Sequence, residues 1–318
     1  MSQSSSRQYL TADSSTKTRL GFFLAILTMA FAIPLNTWAQ VGNFVSFDVP
    51  GASLTRAYDV NNAGVIVGRF NDQTGVHGFV FNQGVFTTVD FPGAVLTTLF
   101  GINDGGQLVG RFQMEDRVDH GFALSNGVFR QIDFPGSIAT QCHGINKKGQ
   151  IVGRYFNVEN SGQGGGQGLG HEHGFLLSAT GFTSIDFPDA NTTDAWKITD
   201  NGDIIGDWSD NGALHSGSLH GYILHDGQFS SFDFPGTLGT AGREISASGR
   251  IAGLYLDKRC VDSIGRAFIL VNGSYSAFDY PGSVCTDAQA LNNFGVIVGG
   301  YIDSSGAQHG YAASFNQK

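Results

Sequence analysis

The stretch Ile132–Gly136, "IDFPG", decides the fold because the chain repeats it. Each copy carries an aspartate two residues before a proline. The other copies are FDVPG at 47–51, VDFPG at 89–93, IDFPD at 185–189, FDFPG at 232–236 and FDYPG at 278–282. Their aspartates lie 42 to 53 residues apart. A self-similar period of this length indicates a repeat architecture.

Residues counted from each proline repeat as well. Threonine always follows at five residues, a small turn-forming residue at eleven, glycine at fourteen and an aromatic at twenty. The pattern predicts four strands in each unit, with an N-x-x-G turn between the first two. The third strand begins with His-Gly-Phe or His-Gly-Tyr, and the fourth ends in the repeated phrase.

The third and fourth strands form a predicted hairpin with a countable register, since thirteen residues separate the basic residue from its aspartate in units one to five. The hairpin turns then fall on pairs such as Asn126-Gly127, which are strong two-residue turn sequences. The Ala179-Thr180 turn departs from this pattern, and Gly181 beside it suggests an altered geometry. The predicted pairs are His77 with Asp90, His120 with Asp133, His173 with Asp186, His220 with Asp233, Arg266 with Asp279, and His309 with Asp48.

These pairs are interpreted as structural. Six copies cannot all be active sites, and Arg266 lacks acid–base chemistry at neutral pH. We also expect the threonine after each proline to meet the basic residue and the aspartate on one face.

The sequence therefore predicts an all-β, six-bladed β-propeller with four-stranded blades. Units begin near residues 50, 92, 135, 188, 235 and 281. Residues 41–48 read as a fourth strand with no unit of their own, and the chain stops where the sixth hairpin should turn. We expect this N-terminal strand to complete the last blade. A solenoid is the alternative, but it has no need for that strand.

The first 39 residues read as a signal peptide, followed by a single propeller domain over 40–318. Basic residues precede the apolar run at 21–35, and small residues precede a cleavage point after Ala39. A membrane anchor is the alternative, although this run is short for a span of about 20 residues. The sequence thus predicts export to the periplasm or the extracellular space.

The mature chain would carry 15 lysines and arginines against 26 acids, a formal charge of −11. Such a surface repels phosphate backbones, which argues against nucleic-acid binding. Three cysteines are too few for a disulfide framework. Cys260 and Cys285 should lie on one face of adjacent blades and could form a disulfide, whereas Cys142 should be a buried free thiol.

The motifs "HGF", "GINxxGxIVG" and "DFPG" resemble the HAF-type extracellular repeat family of bacterial secreted proteins. The resemblance covers about residues 42–318. It implies an exported, β-propeller-like repeat protein, and it implies no reaction or ligand. The fifth unit departs from the family pattern, with "RAF" at 266–268.

We expect the functional residues at positions where the sequences of the repeats differ from one another. The loops between the second and third strands are long in units three, four and five, at 156–172, 209–219 and 256–265. They form either a recognition surface or tolerated loop growth. The Gly-rich loop at 156–172 lacks the sequence of a phosphate-binding loop.

A second variable locus is the first strand of each unit, at six and eight residues after the proline. Side chains at both positions should line an axial mouth suited to a small polar ligand such as a sugar. The alternative is ordinary packing and solvated lining. The candidates are Arg56, Tyr58, Phe100, Gln141, His143, Asp194, Trp196, Arg243, Asp287 and Gln289.

The sequence predicts a monomeric, non-catalytic binding module that engages a glycan or protein through its long-loop face. The alternative is an extracytoplasmic lyase or glycosidase acting at the axial mouth. An enzyme should show titratable residues with shifted pKa values near the axis. We assign no catalytic residue and no cofactor. Metal ligation has little support, because no spacing enforces a cluster of His143, His171, His173 and His215.

Overall fold

The computed structural model describes residues 40–157, 171–210, 219–260 and 264–316. Regular structure in these ranges is β-strand throughout, without a helix, which confirms the all-β prediction. A membrane-spanning helix is accordingly not found among the described residues. The predicted signal peptide at 1–39 lies outside them, as do residues 158–170 and 211–218 of the two longest loops.

The strands pair antiparallel in chain order, and each sequence repeat contributes one set of paired strands. Unit 1 is β2 (Leu54–Val60), β3 (Ile66–Asn71), β4 (Val76–Asn82) and β5 (Val85–Val89), and unit 2 is β6 (Leu96–Ile102), β7 (Leu108–Gln113), β8 (Asp119–Ser125) and β9 (Val128–Ile132). Unit 3 is β10 (Ala139–Ile145), β11 (Ile151–Phe156), β12 (Glu172–Ser178) and β13 (Gly181–Ile185), and unit 4 is β14 (Thr192–Ile198), β15 (Ile204–Ser209), β16 (Leu219–His225) and β17 (Gln228–Phe232). Unit 5 is β18 (Thr240–Ile245), β19 (Ile251–Tyr255), β20 (Arg266–Val271) and β21 (Ser274–Phe278).

Unit 6 contains the two ends of the described chain. Its strands are β22 (Cys285–Thr286), β23 (Ala290–Leu291), β24 (Val296–Ile302), β25 (Gln308–Asn316) and the N-terminal strand β1 (Gln40–Phe47). β1 runs antiparallel to β25, with Phe47 opposite Gly310. The N-terminal strand therefore occupies the outer position of the last unit, as the sequence predicts.

The first strands of the six units contact one another in cyclic order, and β23 of unit 6 contacts β2 of unit 1. The N-x-x-G turns reinforce this closure through side-chain amides. Asn103 Nδ2 donates to the Asn146 carbonyl at 3.0 Å, and Asn292 Nδ2 donates to the Asn61 carbonyl at 3.0 Å. A solenoid would hold its first and last units apart, so this contact argues against that alternative.

The repeated phrase forms a tight turn between units. The amide of Ala94 donates to the Phe91 carbonyl at 3.0 Å, while Gly93 has φ +78°. Pro fits the first central position of such a turn, and glycine tolerates the left-handed second one. In the phrase at 185–189, Asp189 takes the left-handed conformation with φ +63°.

The threonine after each proline does not meet the basic residue and the aspartate, contrary to the prediction from the sequence. Thr97 Oγ1 accepts a hydrogen bond from the Phe91 backbone amide at 3.0 Å, and the equivalent bond occurs in all six copies. Each threonine hydroxyl thus accepts a hydrogen bond from the backbone N–H that has no strand partner where the fourth strand ends. They are almost fully buried, so they do not join the more exposed pairs of basic residue and aspartate.

The aromatic residue of the phrase connects neighbouring units. Phe91 stacks on Phe112 of the next unit with ring centroids 3.6 Å apart, and Phe112 stacks on His120 at 5.3 Å. Unit after unit repeats this order of phrase aromatic, strand aromatic and basic residue, although Val49 takes the aromatic's place in the first copy. The phrase is therefore a packing joint between units.

The six predicted pairs lie within contact distance. His77 Nδ1 lies 2.8 Å from Asp90, His120 3.1 Å from Asp133, His173 2.6 Å from Asp186, His220 2.9 Å from Asp233 and His309 2.8 Å from Asp48, while Arg266 forms an ion pair with Asp279. The aspartates remain 33% to 53% exposed, so each pair contributes as a partly solvated interaction.

The hairpin turns have the conformations that their sequences predict. Asn126 and Gly127 both have positive φ, whereas the hairpin at 179–180 places its positive φ on Gly181.

The Cys260–Cys285 disulfide is present, with Cα atoms 5.6 Å apart, which confirms that pairing. Cys142 is buried and free.

Candidate functional site

The variable position eight residues after each proline is a β-bulge. In β2 the register jumps between Ala57 and Asp59, which leaves Tyr58 without a partner on β3. Bulges turn a side chain out of the regular alternation and are common beside functional sites. The bulged residues of units 1 to 5 are Tyr58, Phe100, His143, Trp196 and Arg243, and the break between β22 and β23 puts Gln289 at the same place.

The glycine of the second strand makes room for this irregular strand. A Cβ atom on Gly153 would lie 2.0 Å from the Gln141 carbonyl oxygen. The equivalent glycines of the other units meet the same kind of carbonyl at 1.9 to 2.2 Å. A side chain at this position would push the first strand away from the axis.

A cavity of about 250 Å³ opens where the variable side chains converge. Eight of the ten predicted axial residues line it: Arg56, Tyr58, Phe100, Gln141, Asp194, Trp196, Arg243 and Gln289. His143 and Asp287 lie behind the wall and are buried. We call this space, with its lining, the axial cavity.

The axial cavity lies at the end of the units that carries the long loops. Leu219 and Leu256 both line it. Leu219 begins β16 directly after the long loop of unit 4, and Leu256 follows β19 at the start of the unit 5 loop. The two variable loci of the sequence therefore adjoin each other.

Sequence reasoning missed the cavity residues that come from the second strand of each unit. Arg69, Arg111 and Arg154 occupy one repeat position in units 1 to 3, and Asp207 and Leu254 occupy it in units 4 and 5. The pattern was visible as "VGR" in three successive repeats. An arginine that precedes the buried aromatic of a strand must point to the opposite face, which is the axis.

Arg154 organises the unit 3 side of the cavity. Its Nη1 lies 2.8 Å from Glu172 Oε1 and 3.3 Å from Asp194 Oδ2. Burial raises the pKa of Glu172 to about 7, against the opposing effect of Arg154. Behind them, His143 Nδ1 lies 3.0 Å from Asp194 Oδ1, and burial lowers the pKa of His143. Sequence reasoning did not identify Glu172.

Trp196 lies between two neighbours in the ring of bulged residues. The His143 ring stacks on it with centroids 4.1 Å apart, and the Arg243 guanidinium carbon lies 4.0 Å from its ring centre. Arg243 also forms an ion pair with Asp207, whose pKa burial raises to about 6. These contacts occupy the tryptophan, so it offers a ligand less open ring surface than a solvated tryptophan would.

Arg56, Tyr58 and Arg69 form the unit 1 side. Arg56 forms an ion pair with buried Asp287, which also accepts from Gln289 Nε2 at 2.8 Å. Burial alone would raise the pKa of Tyr58, but Arg69 and Arg56 together bring it below the usual value. Arg69 and Arg56 therefore bring positive charge next to the Tyr58 hydroxyl in this part of the cavity.

A second cavity of about 410 Å³ lies at the opposite end, beside the N-x-x-G turns. Its floor contains an ion triad that the sequence did not reveal. Lys197 forms an ion pair with Asp59, and its Nζ lies 3.3 Å from Glu244 Oε2. Burial would lower the pKa of Lys197, but the two carboxylates raise it above the usual value.

Of the histidines considered as metal ligands, only His171 and His173 lie near each other among the described residues, with ring centroids 6.4 Å apart. His143 lies beside Asp194, His173 beside Asp186, and His171 Nδ1 lies 3.1 Å from the Asn191 carbonyl oxygen. His215 lies outside the described residues. Within the described ranges, no set of three histidine, cysteine or acidic side chains is arranged to hold a metal ion.

No protein-family model and no curated protein matches the chain. Among solved structures, a putative TolB from Agrobacterium tumefaciens superposes with a TM-score of 0.55 at 12% identity, over 83% of this chain and 91% of that one. TolB from Acinetobacter baumannii gives 0.52 at 16% identity, over 81% and 63%. A mutant of AofleA from Arthrobotrys oligospora gives 0.52 at 13%, over 88% and 89%. At these identities the likeness shows the fold alone, which is a β-propeller.

Proposed function

We propose that this chain is an exported, monomeric β-propeller of six four-stranded blades, a member of the HAF-type extracellular repeat family, that binds an extracellular glycan or protein. The six strand units and their cyclic contacts support the blade count. The signal-like segment at 1–39 and the Cys260–Cys285 disulfide support export, because disulfides persist in oxidising compartments.

One observation carries the binding function. The residues that differ among otherwise regular repeats converge on the axial cavity, and they are rich in hydrogen-bond donors and aromatic rings. A site of this composition suits the hydroxyls and ring faces of a saccharide. Regular packing would not require six different side chains at one repeat position. The long loops border the cavity and would extend the contact surface.

A glycan array and polysaccharide pull-downs with the purified protein test this proposal. We expect Trp196→Ala to lower affinity at least tenfold, because the indole packs against the Arg243 guanidinium and the His143 ring at the cavity wall. Phe294→Ala is the matched control, since Phe294 is an exposed aromatic at the opposite end. Binding that is identical for wild type and Trp196→Ala would exclude the axial cavity as the site.

A second candidate function is an extracytoplasmic lyase or glycosidase, favoured by the titratable groups around the cavity. Burial raises the pKa of Glu172 to about 7 and that of Asp207 to about 6, so both could exchange protons near neutral pH. Each carboxylate is also paired with an arginine, which is equally consistent with a structural role.

Product analysis separates the two candidates. An enzyme would shorten an oligosaccharide that binds, and Asp207→Asn would abolish cleavage while leaving binding largely intact. A binding module would return the same oligosaccharide unchanged after prolonged incubation, as judged by mass spectrometry.

A further inference from the structure

The side chains that line the axial cavity include more basic than acidic groups, in a protein whose formal net charge is −9. Among the described residues, five arginines line it against two aspartates. Three of the arginines, Arg69, Arg111 and Arg154, come from adjacent units and occupy one side. The other side carries Asp207 and the apolar Leu219 and Leu254. One side of the cavity is thus rich in guanidinium groups, and the other is partly apolar.

Most of these arginines already have carboxylate partners. Arg56 pairs with Asp287, Arg154 with Glu172 and Arg243 with Asp207. Arg111 Nη1 lies 2.7 Å from Asp119 Oδ2, which also accepts from Gln141, while Asp119 Oδ1 accepts from Gln113. These four guanidiniums are held in place by their partners, and their charges are largely balanced.

Arg69 differs from them. In the part of the chain that the structure describes, no carboxylate lies within 4 Å of its guanidinium, and its Nε is buried without a hydrogen-bond partner. An unpartnered charged donor in a half-buried wall is unfavourable unless something else pairs with it. Arg111 Nε on the next unit is also buried without a partner, as is Arg243 Nε on the other side of the cavity. Two adjacent guanidiniums therefore retain unused donors.

We propose that the axial cavity binds an anionic saccharide, whose acidic group pairs with Arg69 and Arg111 while its sugar ring lies toward Trp196 and the leucines. The inference rests on the proposed binding function and names its ligand class. Guanidinium groups match carboxylate and sulfate oxygens in paired, charge-assisted hydrogen bonds. Burial would raise the pKa of Tyr58, and its lowered value agrees with the closeness of Arg69, Arg56 and Arg111 on this side.

Calorimetry with matched saccharides tests the inference. The full chain is titrated with galacturonate and with galactose 6-sulfate, each compared with galactose as the neutral twin, at low and at high salt. We expect a charged twin to bind at least about tenfold more tightly than galactose at low salt, with the difference reduced by salt. The carboxylate and sulfate arms identify which acidic group is preferred.

Arg69→Gln should reduce that binding at least about tenfold. It leaves no carboxylate of the protein unpaired, so the thermal unfolding midpoint should stay near wild type. Arg130→Gln removes an exposed arginine on β9 and is the matched control, which should bind as wild type does.

Equal binding of charged and neutral sugars, or unchanged binding by Arg69→Gln, would overturn the anionic ligand class. In that case the proposed function would stand, since saccharide binding would persist. If no sugar binds while an extracellular protein does, the inference falls and only the protein-binding form of the proposed function remains.

Discussion

Lys197 on β14 forms an ion pair with Asp59 on β2, although these strands belong to units 1 and 4. Glu244 of unit 5 completes the triad. The three groups come from widely separated parts of the chain and meet beneath the cavity at the N-x-x-G end. The triad thereby ties three units together near the axis.

Lys197→Met should destabilise the fold, because it leaves the buried Asp59 carboxylate without its ammonium partner. Breaking a buried charge pair costs about 3–5 kcal/mol. Denaturant unfolding at neutral pH measures the change, with Lys148→Met on an exposed turn as the control. A loss below about 1 kcal/mol would show that the triad contributes little to closure.

Stability should fall with rising pH because of Glu244. Burial raises the pKa of Glu244 to about 8, against the opposing effect of Lys197. The folded state therefore retains a proton that the unfolded state has already lost above its ordinary value of about 4.5. More protons on the folded state mean that stability decreases as pH rises from about 4.5 to about 8.

Glu244→Gln should remove this part of the pH dependence. Relative to wild type, its free energy of unfolding should increase by about 1–3 kcal/mol between pH 5 and pH 8. Glu115→Gln, at an exposed position, should leave the profile unchanged. Parallel profiles for wild type and Glu244→Gln would contradict the assignment.

The pair of His309 and Asp48 should hold the N-terminal strand in a pH-dependent way. Burial lowers the pKa of His309, but Asp48 and Asp303 raise it overall above the usual value. The pair therefore contributes fully below about pH 6.5 and is lost as pH rises through the raised pKa.

A double-mutant cycle of His309→Ala and Asp48→Ala should give a coupling of about 0.5–1 kcal/mol at pH 5.5, as expected for a partly exposed pair. The coupling should shrink by pH 8.5. The same cycle on Arg266 and Asp279 is the control, because arginine keeps its charge over this range. Equal pH dependence in both cycles would rule out histidine titration as the cause.

In the turn of the repeated phrase, substitutions at Gly136 and Asp189 should change the free energy of unfolding in opposite directions. Gly136 has φ +80°, and Gly136→Ala should cost about 1–2 kcal/mol because a Cβ atom disfavours this conformation. Asp189 has φ +63° in the equivalent turn, so Asp189→Gly should be neutral or stabilising by up to about 1 kcal/mol. Thermal unfolding of both variants checks the pair, and a loss of stability in Asp189→Gly would contradict it.

Removal of the disulfide should lower stability by about 2–4 kcal/mol, because the bridge restrains a loop with a sequence separation of 25 residues in the unfolded chain. The variant is Cys260→Ala with Cys285→Ala, measured by thermal unfolding. Mild reductant should destabilise wild type and leave this double variant unaffected. Cys142→Ala is the control, since that buried thiol has no disulfide partner.

Many residues of the candidate site could be predicted from the sequence, but only those on the first strand of each unit. Tyr58, Trp196 and Gln289 were found because they vary at a position where the neighbouring residues repeat. Arg69 and Arg111 were missed because "VGR" repeats in three units, and repetition was taken as a sign of structure. Glu172 was missed because its ion-pair partner, Arg154, lies 18 residues away on the neighbouring strand.

The sequence by itself determined the strands, their register and the turns between them. These depend on local chemistry: the thirteen-residue spacing, the Asn-Gly turns and the Pro-Gly joint act between neighbours in the chain. Only the tertiary structure decided which charges meet. Lys197, Asp59 and Glu244, like Arg69 beside an axial cavity, come from different units, and their distances are defined only once the first and last units are in contact.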